Sequence, residues 1–275
     1  MATLHLVATP IGNLEDVTLR ALRVLREAEL VLAEDTRHTR VLLDRHGITA
    51  EPVSLHGHNE QRRSDLALAV LARGGDVALV SDAGTPLVSD PGERLVRAAL
   101  AAGHAVCAVP GPSAVIAALV ASGLASGGFS FVGFPPRKAG ERKALFASLR
   151  DRADTLVLFE SPHRIAATLG ELAGALGARR ACVARELTKL HEELARGALD
   201  ELADRFAAGA RGELTIVIEG APDRAPAPGS EIVDTAIRAR AAAGGSASEI
   251  ARDVARATGV PRSDVYARVL ERGGD

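Results

Sequence analysis

The stretch that most constrains this chain is the apolar run Asp76-Val-Ala-Leu-Val80 and the loop Ser81-Asp-Ala-Gly-Thr-Pro-Leu-Val-Ser-Asp-Pro-Gly92 behind it. The run reads as a buried strand, and Leu95, Val96, Ala99 and Leu100 after the loop have helical spacing. A plain strand–helix connection takes roughly two to six residues. This one is longer and carries two Asp, two Ser and a Thr. Gly84 and Gly92 allow backbone angles or close approaches that a Cβ forbids, and Pro86 and Pro91 fix φ beside them. A stiff polar loop at the carboxyl end of a strand is where open α/β sheets bind ligands. The alternative is an ordinary surface loop.

The same rhythm recurs along the chain. Leu4–Ala8 reads as a strand, Thr9-Pro-Ile-Gly-Asn13 as a tight loop and Thr18–Ala28 as an amphipathic helix. Gly12 stands alone, so neither the dinucleotide fingerprint nor a phosphate-binding P-loop is present. Glu29–Ala33 is a second strand, opening onto Glu34-Asp-Thr-Arg-His-Thr-Arg40. There Asp35 or Thr36 N-caps the next helix, or the polar run lines a cleft; both readings fit. Pro52–Leu55 is a short strand followed by His56-Gly-His-Asn-Glu60. Two histidines two residues apart share one face of a strand, but zinc needs three or four ligands and no local partner appears. Hydrogen bonding to a substrate by His58 and Asn59, or capping by Asn59, is the stronger reading. After the strand His104–Val109, Pro110-Gly-Pro-Ser-Ala-Val115 starts a helix running to Ser122, with Pro112 suited to its first turn. Such a start offers unpaired N–H groups to a carboxylate or a ribose oxygen.

At 275 residues the chain has length for about two domains. A composition 47% hydrophobic and 25% charged is that of a soluble globular protein. No apolar run approaches transmembrane length and no secretory signal opens the chain, so a cytoplasmic, membrane-free protein is expected. The net charge of −2 excludes a uniformly basic nucleic-acid coat but not a local patch. Aromatics make up 3%, so stacking on an aromatic platform is not expected to dominate any nucleic-acid contact. Cys107 and Cys182 sit in apolar strand-like runs and are expected as buried, reduced thiols.

The second half continues with strands at Phe129–Phe134, Thr155–Phe159, Ala181–Ala184 and Leu214–Glu219, and helices near Arg142–Leu149 and Ile165–Leu176. Pro135-Pro-Arg-Lys-Ala-Gly-Glu-Arg-Lys143, with Arg150 and Arg152, is the one local basic patch and holds two of the chain's three lysines. It is either a phosphate contact or a solvated helix face. Glu160-Ser-Pro-His-Arg164 and Arg185–Glu193 follow apolar strands, and five such polar loops on one edge predict a single large cleft. Ala221–Gly229 reads as a Pro/Ala linker. Beyond it, Ile232–Ala243, Ala247–Thr258 and Ser263–Arg272 have helical patterns, with Ser246 and Glu249 at capping-box spacing. This helix-turn-helix-like unit carries seven Arg against five acids, barely basic for a nucleic-acid reader, so a docking or dimer module is an equal reading.

Six motifs in order carry a resemblance: Ala8–Leu14, Ala33–Arg40, Ser81–Gly92, Val109–Ala114, Phe159–Arg164 and Ala184–Lys189. Over residues 3 to about 220 the chain resembles the small-subunit ribosomal RNA methyltransferases of the tetrapyrrole methylase superfamily, and its last helices resemble that family's small helical domain. The resemblance implies an α/β fold: domains at 1–122 and 123–220 with a cofactor cleft between them, a linker at 221–230 and a helical domain at 231–275. It implies S-adenosylmethionine as cofactor, no metal, a homodimer, and 2′-O-methylation of cytidine 1402 in the 16S rRNA of the small subunit. Carried over by loop, the cofactor contacts would be Pro10, Asp82, Gly84, Thr85, Val88, Ser89, Ser113 and Ala114, with Phe159, Ala184 and Leu214 covering the adenine. Glu34, Asp35, His58, Glu186 and Glu192 are the candidate proton acceptors. Arg37, Arg40, Asn59, Arg137, Lys138, Arg142, Lys143, Arg185 and Lys189 are the expected RNA contacts. The competing readings are a tetrapyrrole or protein side chain as acceptor on the same scaffold, and a non-catalytic nucleic-acid-binding protein.

Overall fold

In the first sheet, alternating β and α segments leave two strands wholly apolar and buried. Val77–Val80 (β4) is buried along its whole length, as is Leu30–Ala33 (β2). Thr3–Val7 (β1), Pro52–Ser54 (β3) and Ala105–Val109 (β5) complete an all-parallel sheet in the order β3-β2-β4-β1-β5. Parallel strands need crossovers, and helices cover both faces. Leu19–Glu27 (α1) and Thr36–Arg45 (α2) bury Leu22, Leu25, Leu42 and Leu43 on one face. Glu60–Ala72 (α3) and Glu93–Ala101 (α4) bury Val70, Leu71 and Leu95 on the other. Thr18 caps α1 and Asp35 caps α2, each accepting a backbone N–H, contacts worth about 1 kcal/mol apiece. The structure is a computed structural model describing residues 2–125, 127–222 and 230–272.

The second sheet is mixed. Phe129–Gly133 (β6), Thr155–Glu160 (β7), Arg180–Arg185 (β8), Glu193–Ala198 (β9) and Leu214–Ile218 (β10) run in the order β6-β7-β10-β8-β9. β10 is antiparallel to both β7 and β8, so its amino end lies beside their carboxyl ends. Side chains alternate between two cores. Leu156, Leu158, Val183, Ile216 and Ile218 face Ala139–Ser148 (α6), Ile165–Leu176 (α7) and Leu199–Arg205 (α8). Val157, Cys182, Ala184 and Val217 face Ala114–Ser122 (α5), a helix that leaves the first sheet and packs on the second. β9 and α8 were not expected from the sequence. Glu-Leu-Ala-Arg-Gly-Ala has only one fully buried position, so it lacks the apolar run that marked the other strands.

Both sheets lie in one compact unit, Met1–Ala221, and Pro222–Asp275 forms another. In the second unit Ser230–Ala242 (α9), Ala247–Thr258 (α10) and Arg262–Arg272 (α11) enclose a small core of Val233, Ile237, Ile250, Ala251, Val254 and Val265. The Ser246–Glu249 capping box forms as expected. Of the expected linker, residues 223–229 lie outside the described residues. Among the described residues no helix is long and apolar enough to cross a membrane.

Three local expectations are corrected. Cys107 is exposed, because β5 is an edge strand with Cys107 on an uncovered side; Cys182 is buried as anticipated. Pro112 precedes α5 rather than entering its first turn, since Ser113 is the extended N-cap. His56 and His58 do not share a strand face, because β3 ends at Ser54 and the pair sits in a turn with ring centroids 6.0 Å apart.

The lone Gly12 gains a structural reason. A Cβ there would lie 2.5 Å from Lys189 Cγ, 2.8 Å from Thr188 Oγ1 and 2.9 Å from Leu187 O, where the loop after β1 presses on the loop after β8. Asn13 N–H donates to Thr188 Oγ1 at 3.0 Å in the same contact. Gly12→Ala is therefore expected to destabilise the chain by about 1–3 kcal/mol. Gly57→Ala, with nothing within 4 Å of the new methyl group, serves as the control and should be near neutral. Denaturant unfolding of both variants checks this; equal midpoints would show that the contact relaxes freely.

Candidate active site

The carboxyl ends of β1, β2, β4, β5, β7 and β8, with the amino end of β10, surround a cavity of about 440 Å³. That volume is within the roughly 300–1,000 Å³ of small-molecule sites. Its first wall comes from Ile11, Glu34, Asp82–Thr85, Val88–Asp90 and Ser113–Val115. Its second comes from Phe134, Phe159–Pro162, Ala184, Leu187 and Gly212–Thr215.

The first wall is braced beyond the sheet. Thr9 and Gly84 exchange backbone hydrogen bonds at 2.9 and 3.0 Å, tying the loop after β1 to that after β4. Thr9 Oγ1 donates to Ser81 O at 3.1 Å, and Thr85 Oγ1 to Pro112 O at 3.4 Å, which adds the loop after β5. Leu87 and Ser89 are held in the left-handed region at φ 73° and 71°. Across the site Glu186 and Thr188 are left-handed too, at φ 52° and 65°. Such residues cost of order 1–3 kcal/mol each and persist where surrounding contacts over-determine them, which is the habit of functional loops.

Three carboxylates share this wall: Glu34, Asp82 and Asp90. Burial pushes the Glu34 carboxyl up to about 7, with the charges of Asp90, Asp82 and Asp35 adding to the shift. Burial likewise raises Asp90 to about 6; a hydrogen bond with Ser81 opposes this and the Asp82 charge adds to it. Asp82 is already engaged, accepting Asp35 N–H at 2.8 Å with His38 Nδ1 at 3.8 Å. The wall is thus poised to accept a cation. Beside it, Ser113 makes no side-chain cap to α5, so the first N–H groups of that helix are open at the cavity.

The second wall is apolar at Phe134, Phe159, Pro162, Ala184, Leu187 and Leu214, and it is held from behind by Glu160. Its carboxylate is fully buried, accepts from Ser161 N–H at 2.7 Å and Thr168 Oγ1 at 2.5 Å, and forms an ion pair with Arg164 Nη2 at 3.4 Å. Phe159 packs edge-on against Phe131 at 4.9 Å and tilted against Phe134 at 5.4 Å.

Every residue expected to touch the cofactor lines this cavity except Pro10, whose neighbour Ile11 does. The candidate acceptors separate. Glu34 is on the cavity; Asp35, His58, Glu186 and Glu192 are not. Asp35 instead caps α2 and pairs with Arg37 at 2.5 Å, a contact that holds its carboxyl well below the usual range. Glu186 is depressed by its hydrogen bond from Lys189 at 2.8 Å and by that from Glu213 N–H. Glu192 accepts Thr188 N–H at 2.6 Å.

The expected RNA contacts divide in the same way. Arg142 is bound twice to Glu171, Arg185 to Glu193 at 2.8 Å, and Lys189 to both Glu186 and Glu213. Arg40 donates to Ala50 O, and Asn59 accepts His56 N–H and donates to Ser54 O. These side chains hold loops together. Arg37, Arg137, Lys138 and Lys143 are exposed, although Arg37 pairs with Asp35 and Lys138 with Glu141. Asp90 and Phe134 were not singled out from sequence. Asp90 was visible as the second acid of its loop, whereas nothing local marks Phe134 as a cavity residue. Among the described residues no three His, Cys, Asp or Glu side chains are grouped to hold a metal ion.

Residues 3–203 match the family of Tetrapyrrole (Corrin/Porphyrin) Methylases, and residues 229–273 match the RsmI C-terminal HTH domain. The chain is 47% identical to Ribosomal RNA small subunit methyltransferase I of Micromonospora olivasterospora, over 99% of this chain and 88% of that protein. It is 44% identical to the protein of the same name from Synechocystis sp., over the full length of both. Among solved structures, uroporphyrin-III C-methyl transferase from Thermus thermophilus, complexed with S-adenyl homocysteine, shares the fold: TM-score 0.56, 24% identity, 79% of this chain and 97% of that one. The braced loops, acidic wall and open helix start lie on the methylase-like part of a chain that belongs to the ribosomal RNA small subunit methyltransferase I family, within the tetrapyrrole methylases.

Proposed function

We propose that this protein transfers a methyl group from S-adenosylmethionine to the ribose 2′-oxygen of cytidine 1402 in the 16S rRNA of the small ribosomal subunit. One observation carries the reading: one wall of a single cavity combines three carboxylates with an uncapped helix start, and the facing wall is apolar at Phe159, Ala184 and Leu214. Those three parts match a sulfonium cation, a carboxylate and an adenine ring. The relatives at 47% and 44% identity are named for ribosomal RNA, whereas the similar tetrapyrrole enzyme stands at 24%. Exposed Arg137, Lys138 and Lys143 also favour a polyanion over a tetrapyrrole or a protein side chain. A built cavity argues against a purely binding role. The reading carries with it a cytoplasmic setting and the homodimer; Ile116 and Val120, one turn apart on α5 and both exposed, support a second copy.

When bound, S-adenosylmethionine supplies a methyl group already activated by its sulfonium. The N–H groups of Ala114 and Val115 would hold its carboxylate, Phe159, Ala184 and Leu214 would enclose the adenine, and Asp82 and Asp90 would balance the positive sulfur. The chain's remaining task is to align the ribose oxygen and exclude water, an effect of position. Glu34 receives the 2′-hydroxyl proton on its carboxylate. It is the candidate on the cavity, and among the described residues nothing donates a hydrogen bond to it.

Two outcomes test this. Glu34→Gln is expected to lower kcat by about 100-fold or more and to remove the acid limb of the pH–rate profile. Wild-type kinetics in that variant would sink the assignment. The same raised carboxyl predicts a stability effect without cofactor. A proton held more tightly when folded stabilises fully below the ordinary glutamate value of 4.5, and that stability is lost as pH rises through about 7. Thermal unfolding of the cofactor-free wild type and Glu34→Gln between pH 5 and 8 should therefore converge at low pH and diverge at high pH, the variant being the more stable there.

The helix start gives a second test. Ala114→Glu places an anion in the first turn, which favours the helix itself, but occupies donors that a cofactor carboxylate would use. S-adenosylhomocysteine affinity by calorimetry is expected to fall at least about tenfold with the fold intact; unchanged affinity would move the carboxylate elsewhere. The reading as a whole is tested by methyl transfer to small subunits lacking 2′-O-methylation at that cytidine, with the product nucleoside identified by mass spectrometry.

A further inference from the structure

Phe134 is 55% exposed at the rim of the cavity, in a chain with few aromatics to spend. Its position is unusually constrained for a surface residue. A register shift between Phe131 and Gly133 breaks the edge strand β6, and Gly133 at φ 75° turns the chain outward. Bulges of this kind re-aim side chains beside active sites. The following carbonyls are then gripped from within. Arg164 donates to Pro135 O and Pro136 O at 3.0 and 3.1 Å, and Arg142 to Pro136 O and Arg137 O at 3.2 and 3.0 Å. Both guanidiniums are themselves anchored, Arg164 by buried Glu160 and Arg142 by Glu171. Pro135 is buried, while Phe134, Arg137 and Lys138 point to solvent. Phe159 backs the ring at 5.4 Å, leaving one side of it open at the mouth.

We infer that Phe134 is the stacking face for the nucleobase of the acceptor nucleotide, with Arg137 beside it for a flanking phosphate. The inference rests on the RNA methyl-transfer reading above. A ribose within an RNA strand reaches the cavity only if its nucleotide leaves the stack, and its base then comes to lie at the rim. An aromatic ring held there replaces part of the lost stacking, and a rigid loop makes that replacement without ordering cost. The ring acts on binding of the acceptor and takes no part in proton or methyl transfer.

The test compares Phe134→Leu, Phe134→Ala and Phe134→Tyr in methyl transfer to unmethylated small subunits, with S-adenosylhomocysteine affinity measured separately by calorimetry. Phe134→Leu keeps apolar bulk without a π face, and it should raise the KM for subunits about tenfold, with Phe134→Ala at least as impaired. Phe134→Tyr should restore the wild-type KM, and cofactor affinity should be the same in all four proteins. Wild-type KM in Phe134→Leu would overturn the stacking role. So would a parallel loss of cofactor affinity, which would make the ring part of the cofactor wall. A wild-type protein that binds S-adenosylhomocysteine yet leaves subunits unmethylated overturns the RNA reading, and this inference with it. Methylation by the wild type with unaltered variants overturns this inference alone.

Discussion

Helix α5 emerges from the carboxyl end of β5 but buries Val115, Ala118 and Leu119 against Val157, Cys182, Ala184 and Val217 of the second sheet. Burying Val115 and Leu119 is worth about 1.5–3 kcal/mol each, so this one helix binds the two sheets strongly. The cavity follows from it. With α5 seated, the loops after β4 and β5 face the ends of β7, β8 and β10, and the amino end of α5 opens into the space between. Gly12 and the Thr9–Gly84 bridge then close the remaining side, where any larger residue at 12 would collide with the loop after β8. Without the α5 contact, the polar loops would be separate surfaces on two sheets.

What occupies that space electrostatically is a surplus of negative charge. Burial raises the proton affinity of Glu34 and of Asp90, and the charge of Asp82 adds to both shifts. Carboxylates placed together in this way destabilise the empty site and favour a bound cation. The arrangement also sorts the acids chemically. Asp35 and Glu186 are depressed by Arg37 and Lys189 and are committed to holding loops, whereas Glu34 is left near neutrality and facing the cavity.

The basic residues show the converse division. Arg142, Arg164, Arg185 and Lys189 face inward to Glu171, Glu160, Glu193 and Glu186, and they fix the shape of the rim. A partly buried Arg–carboxylate pair needs both partners, since leaving either charge unpaired is costly. These cations therefore hold the loop that exposes Phe134, Arg137 and Lys138, the residues to which the proposed function gives the polyanion contact. Composition gave the right total of charge here but could not separate the cations that build the rim from those left exposed on it.

The alternation of short apolar runs with helical patterns determined the α/β class, most strand and helix positions and the gathering of polar loops at strand ends. Ile165–Leu176 and Ala247–Thr258 coincide with the helices observed, because apolar spacing and capping are local properties. The loops that form the cavity were legible for the same reason: Ser81–Gly92 and Val109–Ala114 carry their glycines, prolines and hydroxyls in one contiguous stretch. Only the tertiary structure decided which acid of Glu34-Asp35 faces the cavity, that β10 runs antiparallel into the second sheet, that α5 crosses between sheets, and that Phe134 stands at the rim. Each of these depends on partners far away in sequence, through burial, charge pairing or strand order, and such partners leave no periodic mark on the residues themselves.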